Sequence, residues 1–315
     1  MDNLIGNTPL IKITYKYNDV VRSMYAKLEY YNYTGSIKDR IAYYIINKSY
    51  RDGTLKKGMP IIEATSGNTG ISFSALGRYY GHDVHIFMPD WVSDERKNIM
   101  RLYGAKVYLV SRDEGGFKEC IRRADELAKK INGFRPNQFD NIKNVEAHYK
   151  TTGMEILNKV DNVEAFVSGI GTGGTLMGVG KRLKEYDKNK KIIAIEPDTL
   201  QILSKGDTIG AHKIEGIGDD FIPSLVDRKI IDNIISINDE DAINMSRLLA
   251  KKFGLGVGIS SGANFLGCVL SGYDNASTVF TDDMKKYLST DLTKEIDSKE
   301  DMISNKITLI SMEFV

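Results

Sequence analysis

Little in this 315-residue chain points outward. Only two cysteines occur, Cys120 and Cys268, each inside a helical pattern. Two thiols so placed read as buried residues of a reducing cytoplasm, and they exclude a disulfide framework. The four histidines, His82, His85, His148 and His212, are scattered, and no Cys/His spacing suggests zinc. No apolar run approaches the roughly 18 residues of a membrane-spanning helix. The opening, MDNLIGNTPL, lacks the basic region and long apolar core of a secretory signal. Net charge is +1, so neither nucleic acid nor a membrane surface is an expected partner. There is no Pro/Ser-rich linker and no internal repeat.

What remains is an ordinary globular composition, 42% hydrophobic and 27% charged, long enough for two domains or one large α/β domain. Short β-branched runs at 60–63, 83–88, 106–110, 165–168 and 192–195, with another near 279, read as strands. Helical patterns lie between them at 69–80, 93–103, 117–131, 174–187 and 239–253. Ser93 is placed to cap the second and Asn238 the last. The alternation predicts an α/β fold of two lobes, each a twisted, mostly parallel sheet flanked by helices, with a cleft between them. The stretch 293–315 is charged and then apolar from Ile307, which suits an added strand or an interface arm.

Three segments carry chemistry. Gly169-Ile170-Gly171-Thr172-Gly173-Gly174 follows a strand and opens a helix, and Glu196 ends the next strand, as in a dinucleotide fold. The physics requires only that backbone N–H groups close on an anion, so a pyrophosphate and a single phosphate both satisfy the loop. Lys38 stands in Gly35-Ser36-Ile37-Lys38-Asp39-Arg40, where small residues permit close ligand approach and Asp39 and Arg40 can pair locally. Thr65-Ser66-Gly67-Asn68-Thr69-Gly70 follows a strand at a helix start and offers side chains and amides for a carboxylate. A lysine able to form an imine, facing such a cradle, is what amino-acid chemistry on pyridoxal phosphate needs.

With these motifs the chain resembles the cysteine synthase and cystathionine β-synthase family, of pyridoxal-phosphate fold type II. The likeness runs from Ile5-Gly6-Asn7-Thr8-Pro9-Leu10 to Tyr287-Leu288-Ser289-Thr290. It takes in Gly216-Ile217-Gly218 and Gly258-Ile259-Ser260-Ser261-Gly262. The resemblance implies a large cofactor-binding domain (1–37 and 144–315) and a small mobile substrate-binding domain (38–143), with the cofactor in the cleft between them. It makes Lys38 the Schiff-base lysine and puts Asn68 at the ring hydroxyl. Gly171, Thr172, Gly173, Gly174 and Thr175 then hold the phosphate, and Ser260 meets the pyridine nitrogen. Thr65, Ser66, Thr69, Gln138 and Gly218 fall to the substrate. A neutral hydroxyl at the nitrogen gives a weaker electron sink than a carboxylate, which suits β-elimination over transamination. The implied reaction is β-replacement through an aminoacrylate, on L-cysteine, O-acetylserine or serine. A homodimer, and docking of a serine acetyltransferase C-terminal peptide in the cleft, also belong to the family.

Departures from the family matter as much. The heme-ligand tail and the C-terminal regulatory pair of some relatives are not in these 315 residues. Tyr33 and Thr34 replace smaller residues and are placed to reshape the entrance. Ala64 stands for a common proline. Asp282-Asp283-Met284 stands for Asp-Ser-Gly. Asp220 resembles the acid of cystathionine β-synthases, but Asp219 falls where relatives carry a small residue or a tyrosine. A carboxylate there repels a sulfide anion by about 4 kcal/mol at 4 Å and an effective dielectric near 20. It helps deprotonate water or a thiol, and in its acid form it protonates a departing thiolate. The expectation is an enzyme that consumes L-cysteine and releases hydrogen sulfide, with serine, lanthionine or cystathionine as product. The alternatives are O-acetylserine sulfhydrylation and a non-catalytic binding relative. An NAD enzyme leaves Lys38 and the Thr65–Gly70 turn without a role.

Overall fold

A computed structural model describes residue 1 and residues 3–206, 209–294, 299 and 301–315. Strands β1 (Leu10–Tyr17) and β2 (Val20–Leu28) form an antiparallel hairpin. Its two-residue turn, Asn18-Asp19, has φ of 49° and 61°, the left-handed conformation a tight hairpin demands and these residue types tolerate. Then α1 (Lys38–Arg51), β3 (Ile61–Ala64), α2 (Asn68–Tyr79), β4 (Val84–Pro89), α3 (Asp94–Leu102), β5 (Lys106–Val110) and α4 (Gly116–Ile131) alternate. The chain continues through α5 (Ile142–Lys150), α6 (Thr152–Lys159), β6 (Ala165–Gly169), α7 (Gly174–Tyr186), β7 (Lys191–Pro197), β8 (Asn233–Ile237), α8 (Asp239–Phe253), α9 (Ile259–Ser271), β9 (Asn275–Phe280) and β10 (Ile307–Phe314).

Among the described residues these strands make two sheets. A three-stranded parallel sheet runs β3-β4-β5, and a seven-stranded sheet runs β10-β1-β2-β9-β6-β7-β8. In the larger sheet only the β10–β1 and β1–β2 pairs are antiparallel. The end of the 293–315 stretch is therefore an added strand. Ile307 and Leu309 point into the core from it, and residues 295–298 and 300 lie outside the described set.

The larger sheet is covered on both faces, and the period-2 pleat divides its side chains between them. Ala165, Val167, Ile193 and Ile195 pack with Phe265 and Leu266 of α9 on one side. Phe166, Ile192 and Ala194 pack with Leu176 and Val179 of α7 on the other. Each such side chain contributes about 1.5–3 kcal/mol of burial. Cys120 of α4 and Cys268 of α9 are buried free thiols.

Local chemistry departs from the sequence expectation at two points. The Asn238 side chain accepts from the Glu240 and Asp241 N–H groups, as an N-cap should. The Ser93 hydroxyl does not cap α3; it donates across the cleft to the Lys286 carbonyl at 2.8 Å. Nor do Asp39 and Arg40 pair. Asp39 accepts from the backbone and hydroxyl of Thr34, both at 2.6 Å. Arg40 is clamped between Glu29 and Glu155, with Lys27 against Glu155 at 2.7 Å. Buried charges must be paired or hydrogen-bonded: Arg40 finds its carboxylates 11 and 115 residues away, while Asp39 is held by Thr34, five residues back.

Candidate active site

The starts of α1, α2, α7 and α9 converge on one cleft of about 780 Å³ between the two sheets. Two of these helices begin just beyond the carboxyl ends of β3 and β6, the usual ligand position in open α/β sheets. Four helix N-termini bring orphan N–H groups and partial positive charge to one place, which prepares it for anions.

The 169–175 loop is a cradle. Gly173 has φ of +82°, and the Gly174 N–H donates to the Thr172 hydroxyl at 3.3 Å, so the N–H groups that follow at the start of α7 are the ones left for a ligand. A Cβ on Gly171 would strike the Gly216 carbonyl, and one on Gly174 would strike the Asn144 amide. The Thr172 hydroxyl accepts from Asn144 at 3.0 Å, which leaves its own hydrogen free to donate. The Thr175 hydroxyl bonds His148 Nε2 at 3.2 Å, and His148 Nδ1 bonds Thr152 at 3.0 Å. Burial holds the His148 pKa well below the usual imidazole value, with Lys38 and Arg40 adding to the effect. Glu196 lies elsewhere. It is buried and accepts from the Leu203 N–H and the Ser204 hydroxyl, so it is spent on its own loop rather than on a ribose.

Lys38, the first residue of α1, reaches the cleft from below. Burial depresses its pKa, opposed by the carboxylates of Asp282 and Asp219. A depressed lysine has a larger share of nucleophilic free amine. Asn68 is locked in place: its amide donates to Asp282 at 2.8 Å and accepts from Lys286 at 3.0 Å. The Ser260 hydroxyl bonds Thr281 at 2.7 Å. A glycine loop with free N–H groups, a depressed lysine and the Ser260–Thr281 hydroxyl pair, all lining one cleft, make a donor set that fits pyridoxal phosphate.

Thr65, Ser66, Thr69 and Gln138 close the opposite wall. The Thr69 hydroxyl donates to Gln138 at 2.6 Å, and Gln138 donates to the Ala64 carbonyl at 2.9 Å. Asp219 faces the same cleft, and burial with the neighbouring Asp220 raises its pKa to about 6 despite the opposing pull of Lys38. Gly218 lies on the adjoining groove. Tyr33 and Thr34 do not reshape the entrance: neither lines cleft or groove, and Thr34 is held by Asp39.

The structure adds residues that sequence reasoning missed. Arg96 of α3, buried over the Tyr287 ring at 4.6 Å, pairs across the cleft with Glu215 and approaches Asp282 at 3.8 Å. His148, Asn144 and Thr281 likewise enter as supports. Nothing local marks them; Asp282 alone belongs to a family segment, where it matches the family's Asp and Asp283-Met284 depart.

The family model for pyridoxal-phosphate dependent enzymes matches residues 1–281. A cysteine synthase from Staphylococcus aureus (strain Mu50 / ATCC 700699) is 40% identical over 296 residues, covering 92% of this chain and 95% of that one. Among solved structures, a hydrogen sulfide-producing enzyme from Fusobacterium nucleatum is 50% identical with a TM-score of 0.95, covering 100% of this chain and 98% of that chain. A mutant of that enzyme is described with an α-aminoacrylate intermediate. An O-ureido-L-serine synthase is 34% identical with a TM-score of 0.88, covering 95% of this chain and 96% of the other.

Proposed function

Since the chain belongs to the pyridoxal-phosphate-dependent enzymes of the cysteine synthase family, we propose that it consumes L-cysteine by β-replacement, releasing hydrogen sulfide and adding water or a thiol. Bound pyridoxal phosphate supplies the electron sink that lets an amino acid lose its α-proton and then its β-substituent.

This chain's residues do the rest. Gly171 to Thr175 hold the phosphate, Asn68 the ring hydroxyl and Ser260 the ring nitrogen. Thr65, Ser66, Thr69 and Gln138 orient the substrate carboxylate, and Gly218 contacts the substrate from the adjoining groove. Lys38 anchors the cofactor, and its amine, once free, takes the α-proton and later returns it. Residues 38–143 form the small mobile domain, and 1–37 with 144–315 the large one. We place the enzyme in the cytoplasm, as a homodimer.

The observation that carries the direction is Asp219, in the cleft with a pKa near 6. At neutral pH most of its population is ionised, and this form takes the proton of an entering water or thiol. The remaining acid form protonates a departing thiolate, and proton transfer by a placed group is worth about 10²–10⁴-fold. The same carboxylate opposes entry of a sulfide anion. The Fusobacterium enzyme supports the reading, since it produces hydrogen sulfide and is similar over the whole chain. The 40% identity to a cysteine synthase favours a second reading, cysteine formation from O-acetylserine and sulfide.

The test is to give the purified holoenzyme L-cysteine alone, or O-acetylserine with sulfide, and identify products by mass spectrometry. Sulfide with serine, lanthionine or cystathionine is expected from the first mixture, faster than cysteine from the second. Inert L-cysteine, or Asp219→Asn retaining sulfide release and addition at full rate, would sink the proposal.

A further inference from the structure

A wider groove of about 2200 Å³ opens from the cleft to solvent and shares Ser66, Glu215, Gly216, Ile217 and Asp219 with it. It is open to solvent and admits a ligand from outside. Trp91, Arg112 and Phe117 line it together with Asp219.

The charges around this groove are mostly spent. Lys97 pairs with Asp94 at 3.1 Å, Lys213 with Asp291 at 2.7 Å and Lys118 with Asp220 at 3.1 Å. Arg112 differs. Among the described residues it has no acid partner, and its guanidinium lies over the Trp91 ring at 4.9 Å. A guanidinium stacked on an indole keeps its N–H edge directed outward, and that edge matches a carboxylate in bidentate fashion. The placement is fixed by the small sheet. Pro89 pairs with Val110, and the Asp90 N–H donates to the Val110 carbonyl at 3.1 Å, so Trp91 and Arg112 leave adjacent strand ends on one wall.

We propose that this groove is the acceptor site, that its ligand is a thiol carrying a carboxylate, and that Arg112 holds that carboxylate while the sulfur is presented at Asp219. The proposal rests on the β-replacement reading but not on its direction. In the transfer, the donor's β-substituent leaves with the electron pair of its bond and gains a proton. The acceptor exchanges S–H for S–C, its proton passing to Asp219, and no oxidant or reductant takes part. Arg112 selects the acceptor and touches no reacting atom.

The experiment uses the holoenzyme with O-acetyl-L-serine as donor, so that it stands even where L-cysteine proves inert. Thioether formation is measured with 3-mercaptopropionate and with 2-mercaptoethanol, which differ chiefly in the carboxylate. The wild type is expected to prefer 3-mercaptopropionate in kcat/KM by about 10- to 100-fold, the scale of a charge-assisted hydrogen-bonded pair. In Arg112→Gln the preference collapses, through KM, and Arg112→Lys restores part of it. Because a ratio within one variant is read, a general loss of activity does not mimic the effect. No preference in the wild type, an undiminished preference in Arg112→Gln, or no addition of either thiol overturns the proposal.

Discussion

The two ends of the cleft are built on opposite terms. At the phosphate end the groups are neutral dipoles. Gly171, Thr172, Gly173 and Thr175 offer N–H and O–H donors, each hydroxyl already fixed by Asn144 or His148. At the other end the groups are charged and close together: Asp219 beside Asp220, Arg96 against Glu215. Neutral donors hold an anion at any working pH, whereas crowded carboxylates respond to protons. On the proposed reading, the first end holds what the family shares and the second chooses what this chain does with it.

That contrast can be broken in four ways. The largest effect should come from Lys38→Ala, with sulfide release falling by about 10³-fold or more while the phosphate cradle persists. Stopped turnover with the cofactor still retained by equilibrium dialysis is the expected pair of readings. Gly171→Ala should do the reverse. Its Cβ meets the Gly216 carbonyl, so cofactor affinity falls and the fold loses about 1–3 kcal/mol, read from cofactor titration and urea unfolding. Unchanged affinity would mean the loop is only a tight turn.

Asp219→Asn should stabilise the protein in a pH-dependent way. A carboxyl whose folded pKa is raised from 3.8 to about 6 contributes stability that is fully present below 3.8 and lost as pH rises through about 6. Above that pH the ionised group costs up to about 3 kcal/mol, an upper bound because the side chain keeps some solvent contact. The variant should therefore gain melting temperature at pH 8 but not at pH 4. Equal shifts at both pH values would contradict the assigned pKa. The smallest effect belongs to Asp220→Asn, whose exposed pair with Lys118 is worth less than about 1 kcal/mol. Removing its charge should move the acidic limb of the turnover profile to lower pH, and a stationary limb would separate the two aspartates.

The phosphate end was legible in sequence because its chemistry is local. The glycines, Thr172 and Thr175 lie within one turn that must adopt one shape, and Lys38 and Thr65–Gly70 sit at helix starts. β3 to β7, β9, α2, α3, α4, α7 and α8 follow from their periodicity, whereas α5, α6, α9 and β8 are not read from it. β1 and β2 escape that reading although Ile11, Ile13 and Tyr15 alternate inward, because the polar partners Lys12 and Thr14 give a weaker apolar run. The charged end was mostly hidden. Arg96 and Glu215 meet only when α3 packs against the 210–222 segment, and no spacing encodes a contact over that separation. Ser93 shows the same limit: its type suits a cap, but a cross-cleft carbonyl competes for the hydroxyl.

His148 has a consequence for how the enzyme responds to acid. It bonds Thr152 and Thr175, and burial holds its pKa well below the usual imidazole value, which favours the neutral ring. The Thr175 hydroxyl therefore keeps one orientation as the medium is acidified. On the proposed assignment of Thr175 to the phosphate and Asp219 to proton transfer, acid should slow turnover while the coenzyme stays bound, and a return to neutral pH should restore activity without reloading.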